Sequence, residues 1–245
     1  MAGKYYAPRR FHSPLLRLAR RVAQRGLLKT TVWRLTRVTV EGTEHLDEVT
    51  GPYIAVGNHS SHLDAPLIVC SLPWNRAKNL STGAAADYFF DVKWRTWLTV
   101  LFFNTYPVDR TGGGKHPRLS KALLADGCPL LLFPEGGRAK QNEPMREFKL
   151  GAAALSIGTG HPVVPIGLID AQKAMPRGRN WPVRGRTPVA VRIGTPMYAR
   201  QDERPEQFTR RLELAVAALS KQVAPPSKKI ADAPEHVKKE NRTHD

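Results

Sequence analysis

Short runs rich in aliphatic and β-branched residues alternate with helical patterns along most of the chain. Several of these runs are apolar at every position, which is typical of strands covered on both faces. The runs read RVTVEG, YIAVGN, KNLSTG, NTYPVD, PLLLFP, VVPIGL and VAVRIG. Helices are predicted near residues 64 to 72, 84 to 102, 116 to 126 and 148 to 158. Strict alternation favours right-handed crossovers, so the pattern predicts one α/β domain with a largely parallel sheet of about seven strands flanked by helices.

Composition divides the 245 residues into three parts. Residues 1 to 36 form a basic amphipathic segment, for which we predict a membrane-associating helix. Residues 37 to 223 hold the α/β domain, ending in a helix within ERPEQFTRRLELAVAALSKQVA. Residues 224 to 245 are polar, charged and contain proline, so we expect disorder there.

The net charge of +17 calls for an anionic partner, which could be nucleic acid, an anionic membrane surface or a phosphorylated small molecule. Residues 1 to 40 contain ten Lys or Arg and no acidic residue. At helical spacing the apolar residues fall on one face and the basic residues on the other. The apolar set is Leu15, Leu18, Ala19, Val22 and Ala23; the polar set is Arg17, Arg20, Arg21, Gln24 and Arg25. This helix is predicted to lie on an anionic bilayer; the alternative is packing on its own domain with a solvated basic face.

Targeting and redox signals are few. The first residues lack the apolar core of a secretory signal, and no run of about 18 apolar residues occurs, so no span of the membrane is expected. Cys70 and Cys128 lie in apolar surroundings and are predicted to be buried thiols in a cytoplasmic setting. The segment WRTWLTVLFF, residues 94 to 103, could line an apolar groove or enter the membrane, or form a buried crossover helix.

Three polar clusters follow predicted strands: NHSSHLD, DRTGGG and PEGGR. Ligands bind beyond the carboxyl ends of parallel strands, so these clusters predict one site at one edge. In the first cluster, His59 and Asp64 would point apart on a regular helix. Pro66 favours a helix start near Asp64, which leaves His59 in the preceding loop, within reach of the carboxylate.

A hydrogen bond from one imidazole nitrogen to Asp64 would leave the other nitrogen as a base for a substrate hydroxyl. A metal site is the competing interpretation of this cluster. The spacing differs from the H-x-H-x-D-H loop of metallo-β-lactamase-like hydrolases, and a closing histidine is missing. A metal-dependent hydrolase is therefore disfavoured, and no metal is expected.

Four blocks together resemble those of the glycerolipid acyltransferases, the family of 1-acylglycerol-3-phosphate acyltransferase. NHSSHLD is similar to its N-H-x-x-x-x-D box, and FPEGGR to its F-P-E-G-T-R box. YPVDR looks like the aromatic-x-x-Arg block between them, and VVPIGL like the fourth block. The resemblance covers about residues 37 to 200, with the blocks in the family's order.

The resemblance implies a role for each matching residue. His59 would be the general base and Asp64 would orient it, while Arg110 would contact the acceptor phosphate. Glu135 and Arg138 would belong to acceptor binding. Gly136 and Gly137 would form a tight turn that can act as an anion nest, although Gly137 stands where the family usually has threonine. A family lysine matches Lys149, a secondary candidate for an anionic group.

The implied reaction transfers a fatty acyl group from an acyl thioester to the free hydroxyl of lysophosphatidate, giving phosphatidate. It needs no cofactor, because acyl-CoA or an acyl carrier protein thioester is the co-substrate. The expected partners are that donor, the lysophospholipid acceptor and an anionic membrane surface at the cytoplasmic face of the cell membrane. Another lysophospholipid or a glycolipid acceptor is the alternative. No nucleic-acid motif accompanies the positive charge, so a nucleic-acid partner is not expected.

Overall fold

The structure is a computed structural model that describes residues 8–85, 93–108, 117–140 and 143–221. In these residues a seven-stranded sheet has the strand order β1-β7-β6-β2-β5-β3-β4. All neighbouring strands are parallel except β6 and β7, which are antiparallel. The predicted fold class is confirmed. The strands are β1 Arg37–Glu41, β2 Ile54–Gly57, β3 Ser81–Ala85, β4 Tyr106–Val108, β5 Leu130–Leu132, β6 Val163–Ile169 and β7 Pro188–Ile193.

The central strands are apolar throughout because both faces of the sheet are covered. Neighbouring residues of one strand point to opposite faces. In β2, Ala55 joins the cluster formed with Leu67 and Ile68, whereas Ile54 joins the cluster that contains Phe208. Every side chain of β2 and β6 is buried. Burial on both sides fixes the central strands, whose carboxyl ends carry the site.

Helices cover the two faces and the sheet edge. The predicted start of the long crossover helix near residue 84 was wrong, because Ala84 and Ala85 belong to β3. The tail from residue 224 onward lies outside the described residues. The α-helices are α1 Pro8–His12, α2 Pro14–Arg21, α3 Lys29–Leu35, α4 Asp64–Ser71, α5 Trp74–Ala77, α6 Lys93–Phe103, α7 Pro117–Ala125, α8 Gly151–Ile157, α9 Ala171–Ala174 and α10 Pro205–Ser220. A π-helix, Val22–Leu28, joins α2 to α3, and a 3-10 helix spans Thr43–Glu48.

The N-terminal helices pack on the domain through their polar face. Arg20 is buried and donates to the side chain of Asn104 at 2.9 Å, and the Gln24 amide donates to the Phe102 carbonyl at 2.6 Å. The leucines on the other face point outward: Leu15 is 74% exposed and Leu18 is 58% exposed. The segment thus packs on its own domain, as the alternative predicts, but its basic face is not solvated as a whole: Arg20 is buried, whereas Arg21 is exposed. Most of the apolar residues are left exposed, although Ala23 is buried.

Arg25 ties this segment to α4. Its guanidinium donates to the carbonyls of Cys70 and Leu72, both at 2.7 Å. Carbonyls in the last turn of a helix have no partner within the helix, and a cation is favourable at that end. Arg25 therefore caps the carboxyl end of the helix whose first residue is Asp64. Cys70 and Cys128 are free and buried, as predicted, and burial raises the pKa of each thiol to about 11.

The apolar segment at residues 94 to 103 forms most of α6. Its described side chains are only partly covered: Trp97 is 71% exposed and Leu98 is 46% exposed. Burial of this crossover helix, one of the predicted alternatives, is thus incomplete. Helix α6 contacts α2 and the π-helix. Within the described ranges, no helix has the length and apolarity that crossing a bilayer would require.

Candidate active site

Two loops meet at the carboxyl ends of the neighbouring parallel strands β2 and β5. The first loop follows Gly57 and carries His59; the second follows Leu132 and carries Glu135. They are joined by a main-chain hydrogen bond from the Ala139 N–H to the His59 carbonyl at 2.8 Å. The sheet therefore brings together two of the predicted clusters. The third, DRTGGG with Arg110, lies outside the described residues.

His59 and Asp64 are in direct contact, as the helix start at Asp64 predicts. The distance from Nδ1 to the Asp64 Oδ2 is 2.8 Å. The same oxygen accepts the main-chain N–H groups of Ser60 at 2.6 Å and Ser61 at 2.7 Å. Asp64 is fully buried. Because a carboxylate here can only accept, Nδ1 carries the proton and Nε2 is left with a lone pair.

The imidazole ring is held by stacking as well. Its centroid lies 4.2 Å from that of Phe133, with 21° between the two ring planes. The side chain of His59 is 23% exposed. No residue in the described part of the chain hydrogen-bonds to Nε2. A fixed, partly exposed imidazole with an open Nε2 and a buried carboxylate on Nδ1 can take a proton from a bound hydroxyl.

The Glu135 side chain holds the loop that carries His59 by accepting main-chain N–H groups. One carboxylate oxygen accepts the His59 N–H at 2.6 Å, and the other accepts the Arg146 N–H at 2.9 Å. Burial raises the pKa of Glu135 above its ordinary value, and the two N–H bonds offset part of that rise. Glu135 thus serves backbone groups in this structure. Its predicted part in acceptor binding stays a prediction.

Asn58 is a positioning residue that the sequence interpretation did not single out. Its amide donates to the Leu168 carbonyl at 3.0 Å, and its oxygen accepts the Leu168 N–H at 2.7 Å. This pair of bonds continues the ladder between β2 and β6 by one more step. The side chain therefore fixes where β2 ends and where His59 begins. The feature of the sequence that could have pointed to Asn58 is its position directly before His59.

Cations surround the glycine turn. Gly136 has a φ of +68°, and a Cβ there would lie 2.9 Å from the Lys149 Nζ. A Cβ on Gly137 would lie 3.0 Å from a guanidinium nitrogen of Arg146, a residue that the sequence interpretation missed. The Gly136 N–H donates to the Phe133 carbonyl at 3.1 Å, so it does not contribute to an anion nest.

Arg138 is part of the same charged surface. Partial desolvation and then the Arg138 cation lower the pKa of His62, which places the guanidinium near that ring. Arg138, Arg146 and Lys149 thus form the cation cradle of the second loop. Three cations around a turn without a Cβ favour binding of an anion such as phosphate.

A cleft of about 440 Å³ opens beside His59. It is lined by Asn58, His59, Ser60, Glu135, Ala139, Glu143, Met145, Leu168, Asp170, Gln172, Lys173, Pro176 and Ser220. Its volume is in the range of small-molecule sites. Arg138, Arg146 and Lys149 of the cation cradle are not among these residues. In the described ranges, no three His, Cys, Asp or Glu side chains converge as metal ligands would.

Comparisons with known proteins match this arrangement to one family. The Acyltransferase family model matches residues 37–169. A 1-acyl-sn-glycerol-3-phosphate acyltransferase of Chlamydomonas reinhardtii is 31% identical over 169 residues, which are 68% of this chain and 49% of that protein. The 1-acyl-sn-glycerol-3-phosphate acyltransferase alpha of Mus musculus is 29% identical over 148 residues, 56% of this chain and 46% of that protein. The chain spans about half the length of these relatives.

A solved structure shares the fold. The crystal structure of the 1-acyl-sn-glycerophosphate acyltransferase PlsC from Thermotoga maritima superposes with a TM-score of 0.64 at 21% sequence identity. The match covers 78% of this chain and 76% of the other.

Proposed function

Because this chain belongs to the acyltransferase family, we propose that it transfers a fatty acyl group from an acyl thioester to the free hydroxyl of lysophosphatidate, producing phosphatidate. The observation that carries the proposal is the hydrogen bond from His59 to the buried Asp64, with Nε2 open toward bound molecules. Relatives that match this chain bear the name 1-acyl-sn-glycerol-3-phosphate acyltransferase, which supports this choice of acceptor.

The reaction runs through His59. Its Nε2 takes the proton of the acceptor hydroxyl as the oxygen attacks the thioester carbonyl, and Asp64 stabilises the resulting imidazolium. When the carbon–sulfur bond breaks, the imidazolium returns the proton to the departing thiolate. The acyl group moves directly to the acceptor, so the enzyme forms no covalent intermediate and needs no cofactor. Asn58 and Glu135 keep the loop that carries His59 in place.

The acceptor phosphate binds at the cation cradle. Arg138, Arg146 and Lys149 supply positive charge beside the glycine turn, and Arg110 adds a fourth cation in this proposal. A phosphate monoester carries nearly two negative charges at neutral pH. Guanidinium groups bind such an ester with paired, charge-assisted hydrogen bonds. This chemistry favours lysophosphatidate over a glycolipid acceptor, which has no such charge.

We further propose that the protein attaches to the cytoplasmic face of an anionic membrane. The apolar stripe of the N-terminal helices, formed by Leu15, Leu18, Val22 and Leu27, is exposed to between 58% and 74%. Trp97 of the neighbouring α6 extends this surface. Apolar side chains enter the acyl boundary while nearby arginines contact lipid phosphates, and the excess positive charge thus serves lipid rather than nucleic acid.

A substrate panel tests the reaction. The purified protein is assayed with lysophosphatidate, other lysophospholipids and a glycolipid, each with acyl-CoA and with an acyl carrier protein thioester. We expect phosphatidate as the main product and no transfer by His59→Ala, with its urea midpoint close to that of the wild type. Substantial transfer by that variant would remove His59 as the base, and preference for an uncharged acceptor would remove the phosphate assignment.

Vesicle binding tests the membrane surface. Serine at Leu15, Leu18 and Val22 should weaken binding to anionic vesicles in co-sedimentation by about 30-fold or more, because each of the two leucines contributes on the order of 1 to 2 kcal/mol of apolar burial. Leu214→Ser is the matched control, since Leu214 is 54% exposed on α10, far along the chain. Equal binding of all the variants would place the membrane contact elsewhere.

A further inference from the structure

The cleft beside His59 suits a polar, uncharged chain. Its described lining holds the carboxylates of Glu135, Glu143 and Asp170 and one lysine, Lys173, which pairs with Asp170 at 3.0 Å. A phosphate would meet no excess of positive charge there, and a fatty acyl chain would meet polar groups over about half of the wall. A pantetheine arm, which carries amides and no charge, matches this lining.

The cleft leads to a loop rich in arginine. Pro176 lines the cleft together with His59, and the following residues read RGRNWPVRGR. Strand β6 ends at Ile169 and β7 is antiparallel to it, so the connection between them lies at the same sheet edge as the active site. Hydrogen bonds anchor this connection: Ser61 Oγ donates to the Met175 carbonyl and the Val183 N–H to the Ala174 carbonyl, both at 2.8 Å.

This arginine loop, residues 177 to 186, has four arginines and one tryptophan, and no acidic residue occurs between residues 171 and 201. Arg177, Arg179 and Arg184 are exposed, and their guanidinium groups make no hydrogen bond or ion pair with any described residue. Arg186 donates to the Trp33 carbonyl at 3.2 Å. Trp181 is 68% exposed. Unpaired guanidinium groups beside an exposed indole can bind phosphates and stack on a purine base.

We propose that the arginine loop binds the phosphorylated nucleotide of acyl-CoA and that the cleft holds the pantetheine arm, with the thioester at His59. This assignment rests on the proposed acyl transfer and names its donor. Coenzyme A ends in an adenosine with a diphosphate and a 3′-phosphate, so one ligand uses both the arginines and Trp181. An acyl carrier protein presents one phosphate and no base. An anionic membrane could bind the arginines of the loop, but it would not occupy the cleft that adjoins them.

A truncated donor separates these possibilities. The double variant Arg177→Ala/Arg179→Ala is compared with Arg118→Ala/Arg200→Ala, which also removes two exposed arginines but lies elsewhere. For acyl-CoA we expect the first variant to raise KM about tenfold with little change in kcat, and the control to stay within about twofold of the wild type. With S-acyl pantetheine, which has no phosphate, all three proteins should have the same KM.

Three results would overturn the assignment. Equal losses with acyl-CoA and S-acyl pantetheine would mean that the loop acts on the fold and not on the nucleotide. A larger loss with an acyl carrier protein thioester than with acyl-CoA would assign the loop to that protein. Reduced binding of the double variant to anionic vesicles, with an unchanged KM for acyl-CoA, would assign it to the membrane.

A binding measurement separates this inference from the proposed reaction. Calorimetric titration of free coenzyme A into the full-length His59→Ala protein needs no turnover. We expect binding that weakens about tenfold when Arg177 and Arg179 are also replaced, and that weakens when Trp181→Ala is introduced instead. If this binding is found while the wild type shows no transferase activity, the nucleotide site stands and the proposed reaction fails. If the wild type is active but coenzyme A does not bind detectably, the nucleotide site alone is refuted.

Discussion

Replacing Asp64 with asparagine tests whether the buried carboxylate stabilises charge on His59. The substitution keeps the shape of the side chain and removes its charge. An amide oxygen at the position of Oδ2 can still accept the three N–H groups that meet there, from the His59 ring and from the main chain of Ser60 and Ser61. The amide nitrogen then takes the place of Oδ1, which is buried and has no hydrogen-bond partner.

The magnitude follows from the geometry. With 2.8 Å between the Asp64 oxygen and Nδ1, the charge centres lie about 4 Å apart, where the attraction is about 4 kcal/mol at an effective dielectric constant of 20. The amide dipole retains part of this, so we expect kcat of Asp64→Asn to fall by about 10² to 10³. The unpaired amide donor should also lower the free energy of unfolding by about 1 to 3 kcal/mol.

The assay follows thiol release from acyl-CoA with lysophosphatidate in excess, and urea unfolding reports the stability of each variant. Asp47→Asn is the control for charge loss alone, since the Asp47 side chain is 84% exposed, and its kcat should stay within twofold of the wild type. A kcat of Asp64→Asn within tenfold of the wild type would refute the reasoning. The imidazolium would then need no carboxylate beside it.

Three further outcomes are expected. Glu135→Gln places an amide donor against one of two main-chain N–H groups. We therefore expect kcat to fall at least tenfold and the free energy of unfolding, measured by urea titration, to fall by about 1 to 3 kcal/mol. An unchanged kcat would contradict the positioning role of Glu135. Arg138→Ala should raise KM for lysophosphatidate about tenfold and leave KM for an uncharged acceptor unchanged, whereas equal rises would count against the cradle. Gly136→Ala should raise KM for lysophosphatidate by displacing Lys149, while Gly127→Ala, which shares the positive φ but has open space around its Cβ, should change only the urea midpoint.

Local patterns were enough for the sheet and for part of the site. Each of the seven predicted runs contains a strand. For β2 and β6 the reason is that uninterrupted apolar sequence between turns suits a strand that is covered on both faces. The contact between His59 and Asp64 was also predictable, since Pro66 fixes the helix start and both residues are close in sequence. The start of α6 was misplaced because the apolar residues of β3 run directly into the helical pattern.

What the sequence determined is therefore local: strand identity, the start of α4 and the types of residue that follow each strand. The tertiary structure decided which distant groups meet. Glu135 bonds the N–H of a residue 76 positions earlier, and Asn58 bonds Leu168 across 110 positions. It also decided that Arg20 and Arg25 face the domain, because the amphipathic pattern defines two faces without saying which one finds partners. Those partners, such as Asn104 and the carboxyl end of α4, exist only after the chain has folded.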